Sequence, residues 1–148
     1  MSETAQPGYT IAENLRWFAV AYLIALILFG FLVNLLRNAG VDIPQTGVGV
    51  GIYAGAVLAG GSRFAGRRGD WTSRDRHNLA LGYLIIAILV SCALMAAMFV
   101  IEPATFAMMS GLGSMIGVVV AIVLGVALLY YGMARLMLKL IARRGGRQ

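Results

Sequence analysis

The residues of this chain whose types could do chemistry are few and scattered. Met95 and Met98 stand three positions apart, which puts two thioethers on one helical face. Thioethers are soft ligands suited to Cu(I), and Met108, Met109 and Met115 follow further along. No histidine or cysteine joins them, and methionine is also an adaptable apolar filler. The cluster therefore reads first as packing and only second as soft-metal handling. Cys92 is the single cysteine, so no intramolecular disulfide forms, and it reads as a small filler in mid-span. His77, the single histidine, sits beside Asp75 and Arg76 and reads as a solvated loop residue. One histidine and one cysteine at opposite depths make no nucleophile–base pair. No phosphate loop or metal-ligand spacing appears either. The sequence assigns no catalytic, cofactor-binding or metal-binding residue, and the expectation is a non-enzymatic protein without a cofactor.

Transport is the other chemistry a membrane chain performs, and ionisable residues inside the spans are its usual mark. None stands at mid-bilayer here. Glu13 comes nearest, but Asn14 and Arg16 follow it, which sets it at the surface as a helix-capping residue. The polar residues within spans are Asn34, Ser91, Cys92, Ser110 and Ser114. Asn34 is suited to a hydrogen bond across helices. A small transporter is thus the alternative reading, and it lacks the acidic side chain that proton coupling needs.

The elements that position these residues follow from composition. Of 148 residues, 60% are hydrophobic and only 12% charged, against about 25% charged in soluble domains. Four uncharged runs, at about 17–36, 45–62, 79–100 and 113–134, each reach the roughly 20 residues that cross a bilayer core. The uncharged stretch from Pro103 to Ala134 is longer than one span requires, so Pro103 to about Leu112 reads as an interfacial turn or short helix. Residues 1–9 read as a loose tail and 135–148 as a basic cytoplasmic tail. The first run reads as a retained helix rather than a signal peptide, because acids precede it and no clean cleavage pattern follows.

Of the twelve basic residues, only Arg37 falls outside three segments: the leader with Arg16, the loop with Arg63, Arg67, Arg68, Arg74 and Arg76, and the tail. Short loops rich in Lys and Arg stay cytoplasmic. The expected architecture is an all-α integral membrane four-helix bundle of two antiparallel hairpins, both termini inside, in one domain spanning residues 1–148. The basicity is then topological, and no aromatic-and-basic surface points to nucleic acid. In the tail, Arg135, Lys139 and Arg143 recur every four residues with Leu136, Leu138, Leu140 and Ile141 between them. That pattern suits anionic lipid headgroups, at about 1 kcal/mol per base.

Local signals refine the ends. Thr10-Ile11-Ala12-Glu13 fits a capping box, and a helix starting there is expected to carry Ile11, Leu15 and Phe18 toward lipid. Thr72-Ser73-Arg74-Asp75 repeats the device before the third span, with Trp71 as a headgroup anchor and Trp17 at interfacial depth. Small residues recur every fourth position in two spans: Gly47, Gly51, Gly55 and Ala59, then Gly113, Gly117, Ala121 and Gly125. Such grooves let helix backbones approach closely in lipid, within one chain or between chains. They carry the functional expectation of an accessory or assembly-type subunit, either a homo-oligomer or part of a larger membrane complex.

The stretch Gly60-Gly61-Ser62-Arg63-Phe64-Ala65, then Arg67-Arg68-Gly69 and Thr72-Ser73-Arg74-Asp75-Arg76, resembles an uncharacterised family of small four-span bacterial inner-membrane proteins. The recognisable motif covers about twenty residues; Trp71 and Asp75 stand where that family usually has Pro and Glu. The resemblance implies four spans and an inner-membrane location, and no site residues.

Reporter fusions test the charge partition. A fusion within residues 69–78 and one at Gln148 should both read cytoplasmic; a periplasmic signal from either sinks the assignment of sides.

Overall fold

The computed structural model describes residues 9–41, 45–68, 71–101 and 116–145. They form four helices: α1 (Ile11–Asn38), α2 (Gln45–Arg68), α3 (Ser73–Ile101) and α4 (Ile116–Gly145). The fold is all-α, with no strand among the described residues. All four helices are long and apolar enough to cross a membrane. The remaining residues of the chain, including the leader up to Gly8, the stretch 102–115 and the last three residues, lie outside this description. The expectations for Pro103 to Leu112, Gly113, Ser110, Ser114, Met108, Met109 and Met115 fall there.

The helix ends form for reasons visible in the chain. Thr10 caps α1: its hydroxyl accepts from the Glu13 N–H at 3.3 Å, while its own N–H and hydroxyl donate to the Glu13 carboxylate at 2.8 and 3.1 Å. Those two donations hold the exposed Glu13 carboxyl below the usual carboxylate range. Thr72 and Asp75 make the same reciprocal set before α3, at 2.9, 3.0 and 3.2 Å. Aspartate thus completes the box although its side chain is one methylene shorter than glutamate. At its far end α1 closes in a Schellman motif. The Val41 N–H donates to the Leu36 carbonyl at 2.9 Å and the Gly40 N–H to that of Arg37 at 3.0 Å. Gly40 has φ +81°, a left-handed position that costs a side-chain-bearing residue about 1 kcal/mol or more.

α1 packs on α2 and α3, and α4 packs on the same two helices. The N-terminal ends of α1 and α3 meet the C-terminal halves of α2 and α4, through pairs such as Asn14 with Gly60 and His77 with Tyr131. The buried core lies at this end, with Phe18, Tyr53, Val57, Phe64, Leu79, Tyr83 and Leu138 wholly inaccessible. Toward the other end the described side chains turn outward, as in Phe31, Leu89 and Ile122.

Two sequence expectations change here. Phe18 does not face lipid; it is fully buried at the centre of the core, and Ile11 and Leu15 pack against that core. The capping box starts α1 at Ile11, nearly two turns before the apolar run, and the helix phase then turns this stripe inward. The basic stretch from Arg135 continues α4 to Gly145, keeping Arg135, Lys139 and Arg143 exposed. Its Leu138 is buried and its Ile141 half-buried against α2.

Close helix approach falls at glycines other than those spaced by four. A Cβ on Gly61 would sit 2.7 Å from Leu138 Cδ2 and 2.8 Å from Ile141 Cδ1, and one on Gly82 would sit 2.6 Å from Leu15 Cδ2. By contrast, a Cβ on Gly47, Gly51 or Gly55 would meet nothing within 4 Å. Gly61→Val should lower stability in detergent by about 1–3 kcal/mol through overpacking against the buried Leu138. Gly51→Val should stay within about 0.5 kcal/mol of the parent. Thermal unfolding followed by helical ellipticity separates the two.

Candidate functional site: a polar and aromatic bundle core

One carboxamide links three helices. Asn14, wholly buried, donates from Nδ2 to the Gly60 carbonyl of α2 at 2.9 Å. Its Oδ1 accepts from the Tyr83 hydroxyl of α3 at 2.5 Å. A carbonyl oxygen carries two lone pairs, so the Gly60 oxygen can take this bond without giving up its place in the α2 ladder. Residue 60 must be glycine for the geometry to hold. A Cβ there would lie 2.7 Å from the Tyr83 hydroxyl oxygen and 3.1 Å from its Cζ, and the rigid ring cannot yield without breaking the bond to Asn14.

Above this link lies an aromatic layer to which every helix contributes a tyrosine. Phe18 stacks on Tyr83 with centroids 4.2 Å apart and on Tyr22 at 5.6 Å. Tyr53 meets Phe18, Tyr22 and Tyr130 edge-on, at 6.3, 6.1 and 4.5 Å. Such pairs add about 0.5–1.5 kcal/mol each beyond area, which matters where apolar burial gives no drive. The Tyr53 hydroxyl is buried without a hydrogen-bond partner among the described residues.

At the surface beside this core, charge is used as an adhesive. Arg63 donates from Nε to the Tyr9 hydroxyl at 3.1 Å, and its guanidinium lies 5.0 Å from the Trp17 ring centroid. Arg67 stands over Tyr9 at 5.1 Å. These cation–π contacts clamp the end of α2 onto the start of α1. Trp71 leans on Phe64 at 5.6 Å, so it packs on the bundle as well as marking the surface.

The other sequence candidates are placed as follows. His77 is not in a loop: it lies in the second turn of α3, and its Nδ1 is 2.6 Å from the Tyr131 hydroxyl of α4. Asn34 bonds along its own helix rather than across helices, accepting from Asn38 Nδ2 at 3.3 Å. Met95 is exposed on α3; the side chain of Met98 lies outside the described residues. Cys92 is exposed rather than a filler, and with Ser91 it lines a cavity between α3 and α4. Among the described residues, no three His, Cys, Asp or Glu side chains stand together as a metal site would need.

Sequence reading missed the core for two reasons. Tyrosine counts as apolar in a hydropathy sum, and Asn14 stands between Glu13 and Arg16, which assigns it to the surface. The available signal was positional: every span carries a tyrosine, Tyr22, Tyr53, Tyr83 and, in the fourth, Tyr130 beside Tyr131.

The network should show coupling. Tyr83→Phe keeps the ring but strips Asn14 of its donor, and Asn14→Leu strips Tyr83 of its acceptor. Each should destabilise by about 1 kcal/mol, with the double variant non-additive. Gly60→Ala should cost more than Tyr83→Phe, because it displaces the ring itself. Unfolding in mixed micelles reads all four variants. No protein-family model, no curated protein and no solved structure matches this chain.

Proposed function

We propose that this chain is a non-enzymatic integral inner-membrane protein of bacterial type that works by association. It acts as a homo-oligomer or as an accessory subunit of a larger membrane complex. In this reading the four helices form two antiparallel hairpins with both termini cytoplasmic, and the stretch Gly60 to Arg76 marks membership of the small four-span family it resembles. Arg135, Lys139 and Arg143, exposed along α4, rest on anionic headgroups at the cytoplasmic face.

The observation that carries the reading is the state of the small-residue face of α2. Gly51, Gly55 and Ala59 line a groove of about 520 Å³ with Ala21 and Ala25 of α1. A Cβ on either glycine would meet nothing within 4 Å. The chain's own close approaches use Gly60, Gly61 and Gly82 instead, so the groove is left for a helix from outside. In lipid such a face gains contact only when another backbone comes close. On α4, Gly117 and Gly125 are likewise open, and Ala121 is exposed.

Blue-native electrophoresis of gently solubilised membranes tests the reading. The parent should migrate above monomer size, and a Gly51→Leu/Gly55→Leu double variant should fall to monomer while keeping its helical content. A parent that migrates only as monomer would falsify the proposal.

A further inference from the structure

The contact that clamps α2 onto α1 stands at the head of the groove between them. Trp17, Ala21 and Ala25 recur every fourth residue along α1, and Gly55, Ala59 and Arg63 do so along α2. The groove that those small residues line therefore runs toward the Arg63 guanidinium, which lies 5.0 Å from the Trp17 ring centroid. We propose that Arg63, Arg67 and Tyr9 bind the phosphate of an anionic glycerophospholipid whose chains descend along α1 and α2. The proposal goes beyond association. It uses the head of the groove rather than Gly51 and Gly55, on which that reading rests.

Arg63 is half-buried and already held in place. Its Nε donates to the Tyr9 oxygen at 3.1 Å, and its guanidinium carbon lies 5.9 Å from the Tyr9 centroid as well as close to Trp17. A guanidinium only donates, and the Tyr9 oxygen is the one acceptor Arg63 meets among the described residues. The Nη groups at its forked tip are thus uncommitted, and such a fork matches two oxygens of a phosphate. Because the long side chain is fixed beforehand, binding loses less freedom. Arg67, one turn on and exposed, stands 5.1 Å from the same Tyr9 centroid. The Tyr9 hydroxyl accepts from Arg63 and keeps its own O–H to donate. Gly66, exposed beside the two bases, presents no side chain to obstruct an anion.

Charge here is out of balance. Arg16 and Arg67 both act on the Glu13 carboxylate, which is itself bonded to the Thr10 N–H and hydroxyl. Glu13 offsets one positive charge of Arg16, Arg63 and Arg67, and the excess suits an anion.

Depth selects a lipid phosphate over a free one. Trp17 begins the apolar run of α1, at the level where tryptophan marks the membrane interface, and Arg63 is held against it. Lipid phosphates occupy that zone. Val20 and Ile24 follow on the Trp17 face at i+3 and i+7, and both are exposed. An acyl chain descending from the phosphate meets this apolar track, whereas an inorganic anion gains nothing from it.

The test uses the purified full-length protein in micelles of a neutral detergent. It is titrated with short-chain phosphatidylglycerol and, in parallel, with phosphatidylcholine of the same chain length and with inorganic phosphate. Tryptophan emission reads the site, since Trp17 touches Arg63, and native mass spectrometry counts the bound lipid. Saturable binding of one phosphatidylglycerol per chain is expected, well ahead of both competitors. Arg67→Gln, at an exposed position, should weaken it about tenfold. Arg63→Lys, which keeps the charge and loses the fork, should weaken it also. Arg143→Gln, which removes a charge from α4, should leave it unchanged. The proposal is overturned if binding does not saturate, or if either α2 variant binds as the parent does. Equal binding of phosphatidylcholine overturns it, because the headgroup charge is then unread; so does displacement by inorganic phosphate at equal concentration, because the site then takes a soluble anion. An Arg143→Gln loss as large as that of Arg67→Gln overturns it as well, since the attraction is then diffuse. Helical ellipticity confirms that each variant is folded. The titration does not depend on assembly size, so a chain that migrates as monomer leaves this proposal standing.

Discussion

A carboxamide inside a helix bundle has to find its partners in protein, because hydrocarbon offers none, and Asn14 finds them on α2 and α3 at once. That constraint sets the rest of the packing. The bond to a backbone carbonyl requires α1 to approach α2 at a residue without a side chain, which Gly60 supplies. The bond to Tyr83 fixes the ring that stacks on Phe18, and Phe18 in turn seats Tyr22 and the edge of Tyr53. Tyr53 then reaches Tyr130 on the fourth helix. Helix association in lipid gains little from burying apolar surface, so directional contacts of this kind decide which faces meet.

The consequence is a bundle secured at one end. Around Asn14 the helices are joined by hydrogen bonds, ring stacking and the Arg63 clamp, and Gly61 brings α4 within contact of α2. Farther along, the described parts of the helices present bulky apolar side chains outward, with Phe31 70% and Leu128 71% exposed. Outward-facing apolar residues suit lipid as a solvent. The same divergence opens the groove between α1 and α2 and the cavity between α3 and α4, since neither could exist between helices packed along their whole length.

Much of this was legible in the chain. The uncharged runs locate four helices, and the two Thr-x-x-acid sequences locate helix starts to the residue. Spacing of small residues was informative in an unexpected direction: it marks the faces that point away from the bundle. The glycines that admit close approach, Gly60 and Gly61, break the four-residue rhythm. Their role appears only when the side chains opposite them, Tyr83 and Leu138, are known. The polar core was hidden because hydropathy treats tyrosine as filler, and because a capping box three residues before the apolar run disguises Asn14 as a surface residue. His77 was hidden likewise: charged neighbours in sequence say nothing of Tyr131 on another helix.

The groove and the cavity lie on opposite sides of the bundle, yet they share two helices' worth of neighbours. Ala21 lines the groove and Tyr22 the cavity; Ile52 lines the groove, and Tyr53 beside it packs on both tyrosines of the cavity. Successive residues on a helix point about 100° apart, so α1 turns Ala21 to the groove and Tyr22 to the cavity, and α2 turns Ile52 to the groove and Tyr53 to the core. A rotation of α1 that moved Ala21 toward an incoming helix would carry Tyr22 away from Ser91. Asn14 resists such a rotation, because turning α1 strains its bonds to Gly60 and Tyr83 together. The buried link thus holds the helices that line the two flanks in one arrangement.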